Sequence, residues 1–188
     1  ALVNSIVQAI YVYAASFHGK KLLALGGNSG NPIFDWFIGR ELNPRIGEFD
    51  IKTFNELRPG LILWALLDIS CVCHQYTKFG WVSDSIVLVT LFHVWYIVDS
   101  LINESTILTQ MDITTDGFGF MLSVGDLAWL PFTYCLQARF LAFHPIHLGW
   151  LGVLAILAVQ FTGYYIFRVA NLEKNEFRHG RNPKGTYT

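Results

Sequence analysis

The chain has 188 residues, of which 53% are hydrophobic, 15% aromatic and only 14% charged, with a formal net charge of −1. Soluble domains carry about 25% charged residues, so this composition excludes an ordinary water-soluble domain and favours a protein of the lipid bilayer. The near-neutral charge gives no indication of nucleic-acid binding, and the three cysteines lie in apolar runs, which predicts buried thiols and no metal site.

Five segments are long and apolar enough to span a bilayer or nearly so, which takes about 20 mostly apolar residues. We therefore predict an all-α, polytopic transmembrane helix bundle. Charges within the segments are expected to face the bundle interior or a water-filled cavity, because exposing a charge to lipid is costly. The segments are 1–17, 60–79, 85–103, 118–143 and 150–168, and the charges are Asp68, Asp99, Asp126 and Arg139.

The basic residues predict the orientation of these segments. The loop 18–59 holds six Lys and Arg and the stretch from Arg168 onward holds five, which together are eleven of the thirteen in the chain. If all five segments cross, both regions lie on one side with the loop 104–117, and the positive-inside tendency makes that side cytosolic. The sequon at Asn103 then lies in the cytosol, and we predict that it carries no glycan.

The loop between the first two segments mixes turn residues with aromatic ones. Gly, Pro and Asn punctuate residues 28–60, yet large apolar side chains such as Trp36 and Phe37 are interleaved with them. Because solvated loops are polar throughout, this pattern predicts an ordered loop that lies against the membrane. Arg40 and Arg45 alternate with acidic residues, which predicts ion pairs among Asp35, Arg40, Glu41 and Arg45.

The run GNPIFDWFIGRELNPR, from Gly30 to Arg45, resembles the first signature of the sterol reductase family. That family groups the Δ14-, Δ7- and Δ24(28)-sterol reductases with the lamin B receptor. Phe34 stands where the pattern usually has Tyr or His, so we expect no catalytic role at this position. The signature residues that the resemblance identifies are Gly30, Asp35, Gly39, Asn43, Pro44 and Arg45.

Acidic and aromatic residues come together between residues 104 and 140. Asp112 and Asp116 precede a glycine-broken apolar run, and Asp126 lies inside the predicted fourth membrane segment. A carboxylic acid whose pKa is raised by burial can donate a proton, and aromatic faces stabilise cations, so this pattern suits the ionic reduction of an alkene. A buried Asp that only bonds to a neighbouring helix fits the same pattern. A polar seam at helical spacing is predicted from Ser123, Asp126, Thr133 and Gln137.

The run MDITTDGFGFMLSVGDLAWLPFTYCLQARFL resembles the corresponding stretch of the Δ14-sterol reductases and the lamin B receptor, and most of all the fungal Δ14-reductases. The resemblance implies NADPH-dependent reduction of the sterol C14–C15 double bond in the endoplasmic reticulum membrane. A proton would go to C15 and hydride from NADPH to C14. The candidate catalytic residues are Asp126, Asp116 and Asp112, and the candidate sterol-binding residues are Trp129, Phe118, Phe120 and Tyr134.

The resemblance also indicates what this sequence lacks. The family's C-terminal motifs, such as R-H-x-N-Y-x-G-D, do not occur in it, nor does a G-x-G-x-x-G loop. We therefore expect residues 1–188 to be about half of a bundle of roughly ten spans, with most NADPH-binding residues elsewhere, and to be inactive alone. The alternatives are a non-catalytic scaffold like the lamin B receptor, a Δ7- or Δ24(28)-sterol reductase, and a proton-coupled transporter using Asp68, Asp99 and Asp126. The expected partners are a sterol and the bilayer.

Overall fold

A computed structural model describes residues 1–181. Most of these residues are helical, and the only strands among them are two antiparallel strands of two residues each. This confirms the predicted all-α class. The α-helices are α1 (Leu2–Ala15), α2 (Pro32–Ile38), α3 (Ile51–Leu57), α4 (Pro59–Phe79), α5 (Asp84–Ile102), α6 (Met111–Thr114), α7 (Phe120–Val124), α8 (Leu130–Tyr134), α9 (Leu136–Phe143) and α10 (Gly149–Arg178). The remaining elements are strands β1 (Arg45–Ile46) and β2 (Phe49–Asp50), a 3₁₀ helix over Glu104–Thr109 and a π-helical turn over Gly125–Trp129.

Three of the described helical stretches are long and apolar enough to cross a membrane. These are Ile51–Phe79, which joins α3 to α4, together with α5 and α10, while α1 is apolar but shorter. Helices α4 and α5 match their predicted segments to within one residue at each end. Helix α10 continues to Arg178 instead of ending at the predicted Arg168. The chain is thus part of a multi-pass membrane protein.

The fourth predicted segment, 118–143, is not one continuous helix. It begins with the five residues of α7, passes through the π-helical turn into α8, and breaks again at Cys135 before α9. The π-helical turn directly precedes Pro131, whose ring has no amide proton and would clash with the carbonyl group of Leu127 in a regular α-helix. The wider turn accommodates the proline at the cost of helical register.

Side-chain contacts place the two basic regions at the same end of the bundle, as the orientation argument requires. At the start of α4, the two Nη atoms of Arg58 donate hydrogen bonds to the two carboxylate oxygens of Glu104, at 2.5 and 2.6 Å. Near the end of α10, Arg178 Nη1 donates to Thr109 Oγ1 at 3.4 Å. At the opposite end, the carboxylate of Asp84 accepts the backbone amides at the start of α10. The cytosolic location of the basic end stays a prediction, and Lys184 of the basic tail lies outside the described residues.

Local capping explains why the long loop before α4 is ordered. The side chain of Asn31 accepts hydrogen bonds from the amides of the first turn of α2, and Pro32 supplies the first helical residue. The side chain of Asp50 accepts the amide of Thr53 and begins α3 in the same way. These short polar side chains satisfy amides that each helix start leaves unpaired.

The charges inside the membrane segments behave in two ways. Asp68 is fully buried and lies 2.6 Å from the Nδ1 atom of His93 on α5, as expected for a charge inside the bundle. The Asp99 carboxylate accepts hydrogen bonds from two residues of α10, the Tyr164 hydroxyl at 2.9 Å and Arg168 Nη1 at 3.3 Å. Arg139 is exposed on α9 within residues 1–181, and its predicted orientation towards the bundle interior or a water-filled cavity stays a prediction. Its long apolar stem lets the charged end lie at the surface.

Candidate functional site

The two stretches that carry the family resemblance pack against each other, although 65 residues separate them in sequence. Gly39 lies against the backbone of residues 117–119. The amide of Phe118 also donates a hydrogen bond to the carbonyl oxygen of Glu41 at 3.0 Å. We call this backbone-to-backbone contact the glycine crossing, and it fixes the signature loop beside the acidic stretch before α7.

No side chain fits inside the glycine crossing. A Cβ atom added to Gly39, Gly117 or Gly119 would overlap backbone atoms of the opposing segment. Gly39 also has a φ angle of 105°, which side chains of L-residues disfavour. Because an opposing backbone cannot swing aside as a flexible side chain can, all three positions require glycine. Close packing therefore explains why glycines recur in both motifs.

Asp35 anchors the beginning of the signature loop. Its side chain is 4% exposed, and its carboxylate accepts the hydroxyl of Ser29 at 2.7 Å and the amides of Ser29 and Gly30 at 2.8 and 3.2 Å. The Ser29 hydroxyl bond, aided by these amides and by Arg40, outweighs burial and lowers the pKa of Asp35 below its ordinary value of 3.8. Asp35 therefore holds the loop as a carboxylate and is a poor candidate for proton donation.

The other charged signature residues form different pairs from those predicted. Arg40 Nη1 donates to the carbonyl oxygen of Ser16 at 2.8 Å, and its guanidinium carbon lies 4.2 Å from the ring centre of Phe17. Arg40 thereby ties the loop to the end of α1, where carbonyl groups lack helical partners. The ion pairs that replace the predicted ones are Arg45–Asp50 and Lys21–Glu41, each at 3.1 Å.

Lys52, which the sequence presented as one more positive charge of the loop, is fully buried. Its Nζ atom donates to three backbone carbonyl oxygens, those of Leu42, Ile113 and Asp116, at 3.3, 3.2 and 2.5 Å. With its amide group oriented to donate, Asn43 reaches two of the same oxygens, at 3.1 and 3.3 Å. Lys52 and Asn43 therefore clamp the end of the signature loop to α6, immediately next to the glycine crossing.

Three carboxyl groups, those of Glu56, Asp112 and Asp126, form what we call the acidic cluster. Asp126, on the π-helical turn, lies within electrostatic reach of Glu56, Asp112 and Lys52. The Asp126 Oδ2 and Glu56 Oε2 atoms are buried, and neither has a hydrogen-bond partner among residues 1–181. A buried polar atom without a partner is costly and calls for an explanation, and a catalytic role is one.

The approach of α4 to the π-helical turn holds this cluster together. The carbonyl oxygen of Asp126 lies so near Gly60 that a Cβ atom there would overlap it. Asp112 lies within electrostatic reach of Asp126, and Asp116 contributes its backbone carbonyl oxygen, which Lys52 binds. The catalytic roles of these three acids stay predictions. Within the described residues, no group of three or more His, Cys, Asp or Glu is placed to hold a metal ion.

The predicted polar seam is split by the π-helical turn. Ser123 is buried against α1, with its Oγ atom 3.1 Å from both the Ser5 carbonyl oxygen and Gln8 Oε1. Thr133 donates to the carbonyl oxygen of Trp129 in its own helix, at 2.8 Å. A π-helical turn contains an extra residue, so side chains on its two sides no longer share one face.

The four predicted sterol-binding aromatics occupy separate surroundings. Phe118 is 1% exposed and packs with Val12 and Ile51, while Phe120 stacks on Trp36 with ring centres 4.7 Å apart. Tyr134 and Trp129 lie further along the chain. The ring centre of Tyr134 lies 5.0 Å from that of Trp64. Trp129 is 64% exposed and lines an apolar groove of about 590 Å³. The groove is also lined by Leu67, Val124, Phe132 and Arg139. Their roles in binding stay predictions.

Lys52 and Glu56 are the two residues of this site that the sequence analysis missed. The available signal was spacing, because Lys52, Glu56 and Gly60 follow one another at four-residue intervals and so share a face of one helical stretch. The partners on that face, at 113, 116 and 126, come from a distant part of the chain. Only the packing of α3 and α4 on the π-helical turn brings them together.

Comparison with known proteins gives consistent matches over this whole region. A family model described as the ergosterol biosynthesis ERG4/ERG24 family matches residues 1–188. The chain is 64% identical over 183 residues to the Delta(14)-sterol reductase erg24 of Schizosaccharomyces pombe, which covers 97% of this chain and 43% of that protein.

Two further curated relatives carry the same name. The Delta(14)-sterol reductase ERG24 of Saccharomyces cerevisiae is 54% identical over 192 residues, covering 96% of this chain and 44% of that protein. The Delta(14)-sterol reductase of Ascobolus immersus is 55% identical over 184 residues, covering 95% of this chain and 43% of that protein. The chain therefore spans less than half the length of the curated relatives it matches.

Proposed function

Because this chain belongs to the ergosterol biosynthesis ERG4/ERG24 family, we propose that its parent protein is a Δ14-sterol reductase of the endoplasmic reticulum membrane. Its substrate would be a sterol intermediate with a C14–C15 double bond. The observation that carries this proposal is the match, over almost the entire chain, to relatives named for that activity. None of these three relatives is named as a Δ7- or Δ24(28)-sterol reductase or as a lamin B receptor.

The proposed reaction adds one proton and one hydride across an unactivated alkene. The proton bonds to C15 with the electron pair of the double bond, which leaves a cation at C14, and hydride then bonds to C14. We assign the proton to the acidic cluster, with Asp126 as donor. An acid in surroundings of low dielectric, beside other carboxyl groups, can retain its proton until an alkene carbon accepts it.

Two features of the site support this assignment. The Asp126 Oδ2 atom is buried without a hydrogen-bond partner among residues 1–181, so a proton on it is not committed to a neighbouring acceptor. The π-helical turn that carries Asp126 also carries Trp129, which is exposed in the apolar groove. An apolar sterol in that groove would lie next to the helical turn that holds the acid.

NADPH, the hydride donor that the family resemblance implies, is not matched by the residues described. Its phosphates require cations that converge on one site, but three of the seven arginines of residues 1–181 are already paired with acids. Arg45 pairs with Asp50, Arg58 with Glu104, and Arg168 with Asp99. We therefore assign no residue of this chain to NADPH and place its binding site in the remainder of the parent protein.

The test is complementation with the full-length parent in cells that lack Δ14-reductase, with sterols profiled by mass spectrometry. The wild-type protein is expected to remove the accumulated Δ14-sterols, and Asp126→Asn is expected to fail although it is present in the membrane at the same level. Glu48→Gln, which removes an exposed acid of the loop, is the matched control and should complement.

The outcomes separate the reaction from the donor. Persistent Δ14-sterols with a stably expressed wild-type parent would overturn the proposed activity. Full complementation by Asp126→Asn would keep the activity and remove Asp126 as the proton donor.

A further inference from the structure

A polar cavity of about 180 Å³ lies at the basic end of the bundle, between α3, α5, the 3₁₀ helix and α10. Its wall contains both apolar side chains and hydrogen-bonding groups. A volume of this size holds several water molecules, since each occupies about 30 Å³ in the liquid. The polar residues of the wall include Glu56, Asp99, Asn103, Gln110 and Arg168.

Most polar groups of this wall already have partners. Asp99 binds Arg168 Nη1 at 3.3 Å and the Tyr164 hydroxyl at 2.9 Å, and Arg168 Nη2 donates to Asn103 Oδ1 at 2.7 Å. These bonds tie α5 to α10 and fix the shape of the cavity. Glu56 differs, because its Oε2 atom is buried and has no hydrogen-bond partner among residues 1–181.

Glu56 lies between the cavity and the acidic cluster. Its residue lines the cavity, and its carboxyl group is also within electrostatic reach of Asp126 and Asp112. Helix α3 packs on the π-helical turn, so the two carboxyl groups are held on facing elements. Glu56 is therefore the one acid of the cluster that also lines the water-sized cavity.

We infer that this cavity is the proton entry of the enzyme and that Glu56 relays protons from it to Asp126. The inference rests on the proposed function, in which Asp126 loses one proton to the sterol in each turnover. A hydronium ion carried in from bulk water through the cavity would protonate the Glu56 carboxylate and remain as water, and Glu56 would pass the proton to the Asp126 carboxylate. One O–H bond forms and one breaks at each transfer, and no oxidant or reductant is consumed. Buried acids commonly serve such relays in membrane proteins.

The test is steady-state kinetics of the purified full-length parent with NADPH and a Δ14-sterol. Glu56→Gln is expected to lower kcat by about 10²-fold, the lower end of the range for general acid catalysis, and to leave the KM for the sterol unchanged. The solvent deuterium isotope effect on kcat should rise, because proton delivery becomes rate-limiting. Formate, which fits the cavity, should restore part of the rate. Glu48→Gln, which removes an exposed acid of the loop outside the cavity, should retain wild-type kcat.

The outcomes distinguish this inference from the proposed function. Wild-type kcat in Glu56→Gln, with Asp126→Asn inactive, would overturn the relay and keep Asp126 as donor. A wild-type parent that does not reduce Δ14-sterols would overturn both. If Glu56→Gln does not accumulate as a folded protein, the same kinetic measurements on Glu56→Asp test the relay. The shortened acid should lower kcat at constant KM, and wild-type kcat with a wild-type isotope effect would again overturn the relay.

Discussion

Substituting Gly39 by alanine tests the glycine crossing directly. An alanine at this position would have to adopt a φ angle of 105°, and its Cβ atom would overlap the backbone of Gly117, Phe118 and Gly119. A positive φ costs a side chain about 1–2 kcal/mol, and overpacking against a rigid neighbour costs a further ~1–3 kcal/mol. We therefore expect Gly39→Ala to lower the free energy of unfolding by about 2–5 kcal/mol. At ~2–4 °C per kcal/mol, the melting temperature should fall by about 4–20 °C.

Two control variants separate the contributions of conformation and overlap. Gly19 has a φ angle of 77° but nothing within 4 Å of its Cβ position, so Gly19→Ala measures the cost of conformation alone. Gly117 has no positive φ angle but opposes the backbone of Gly39, so Gly117→Ala measures the overlap alone. The assay is thermal unfolding of the full-length parent in detergent, followed by the loss of helical circular dichroism. Equal melting temperatures for Gly39→Ala and Gly19→Ala would refute the argument.

Three further predictions concern charged and polar groups near the crossing. Lys52→Met leaves the carbonyl oxygen of Asp116 without its side-chain donor and removes one of two donors from those of Leu42 and Ile113, so it should cost about 1–3 kcal/mol in thermal unfolding, whereas the exposed Lys20→Met should cost nothing measurable. The hydrogen bonds from Arg58 lower the pKa of Glu104 below its ordinary value of 4.5. They stabilise the fold by about 1 kcal/mol or less, and this stabilisation is present above pH 4.5 and is lost as the pH falls through the lowered pKa. The stability difference between wild type and Glu104→Gln should therefore vanish in acid, and a difference that persists at pH 2 contradicts this. Asn103 should carry no glycan, because its side-chain amide donates to the Asp99 carbonyl oxygen at 2.8 Å; glycosidase treatment should leave the electrophoretic mobility unchanged.

The long helices were predictable because their signals are local. Helices α4 and α5 each contain about 20 mostly apolar residues between turn residues, and hydropathy alone places their ends to within one residue. The proximity of Asp112 and Asp126 was also accessible, since both belong to one stretch with acids before and inside an apolar run. The sequence therefore indicated where the candidate site lies.

The detailed arrangement was not predictable because it depends on contacts between distant parts of the chain. Lys52 resembles any basic loop residue until the carbonyl groups of Ile113 and Asp116 are brought to it. The π-helical turn before Pro131 rotates the later side chains about the helix axis. Residues at regular helical spacing on its two sides therefore do not share one face, and the predicted polar seam does not form. Arg40 likewise binds the end of α1 and not the acids next to it in sequence. In each case tertiary packing outweighs the pattern of neighbouring residues.

The contact between α1 and α7 has a consequence for the timing of synthesis. The buried hydroxyl of Ser123 meets the backbone of Ser5 across a separation of 118 residues, and α7 is the main packing partner of α1. At about 5–20 residues per second, a ribosome needs ~6–24 s to make the chain between them. During that interval α1 lies in the membrane without the helix it packs on, and the glycine crossing has only one of its two segments. Both contacts can therefore form only after the ribosome has synthesised the segment from Gly117 to the end of α7.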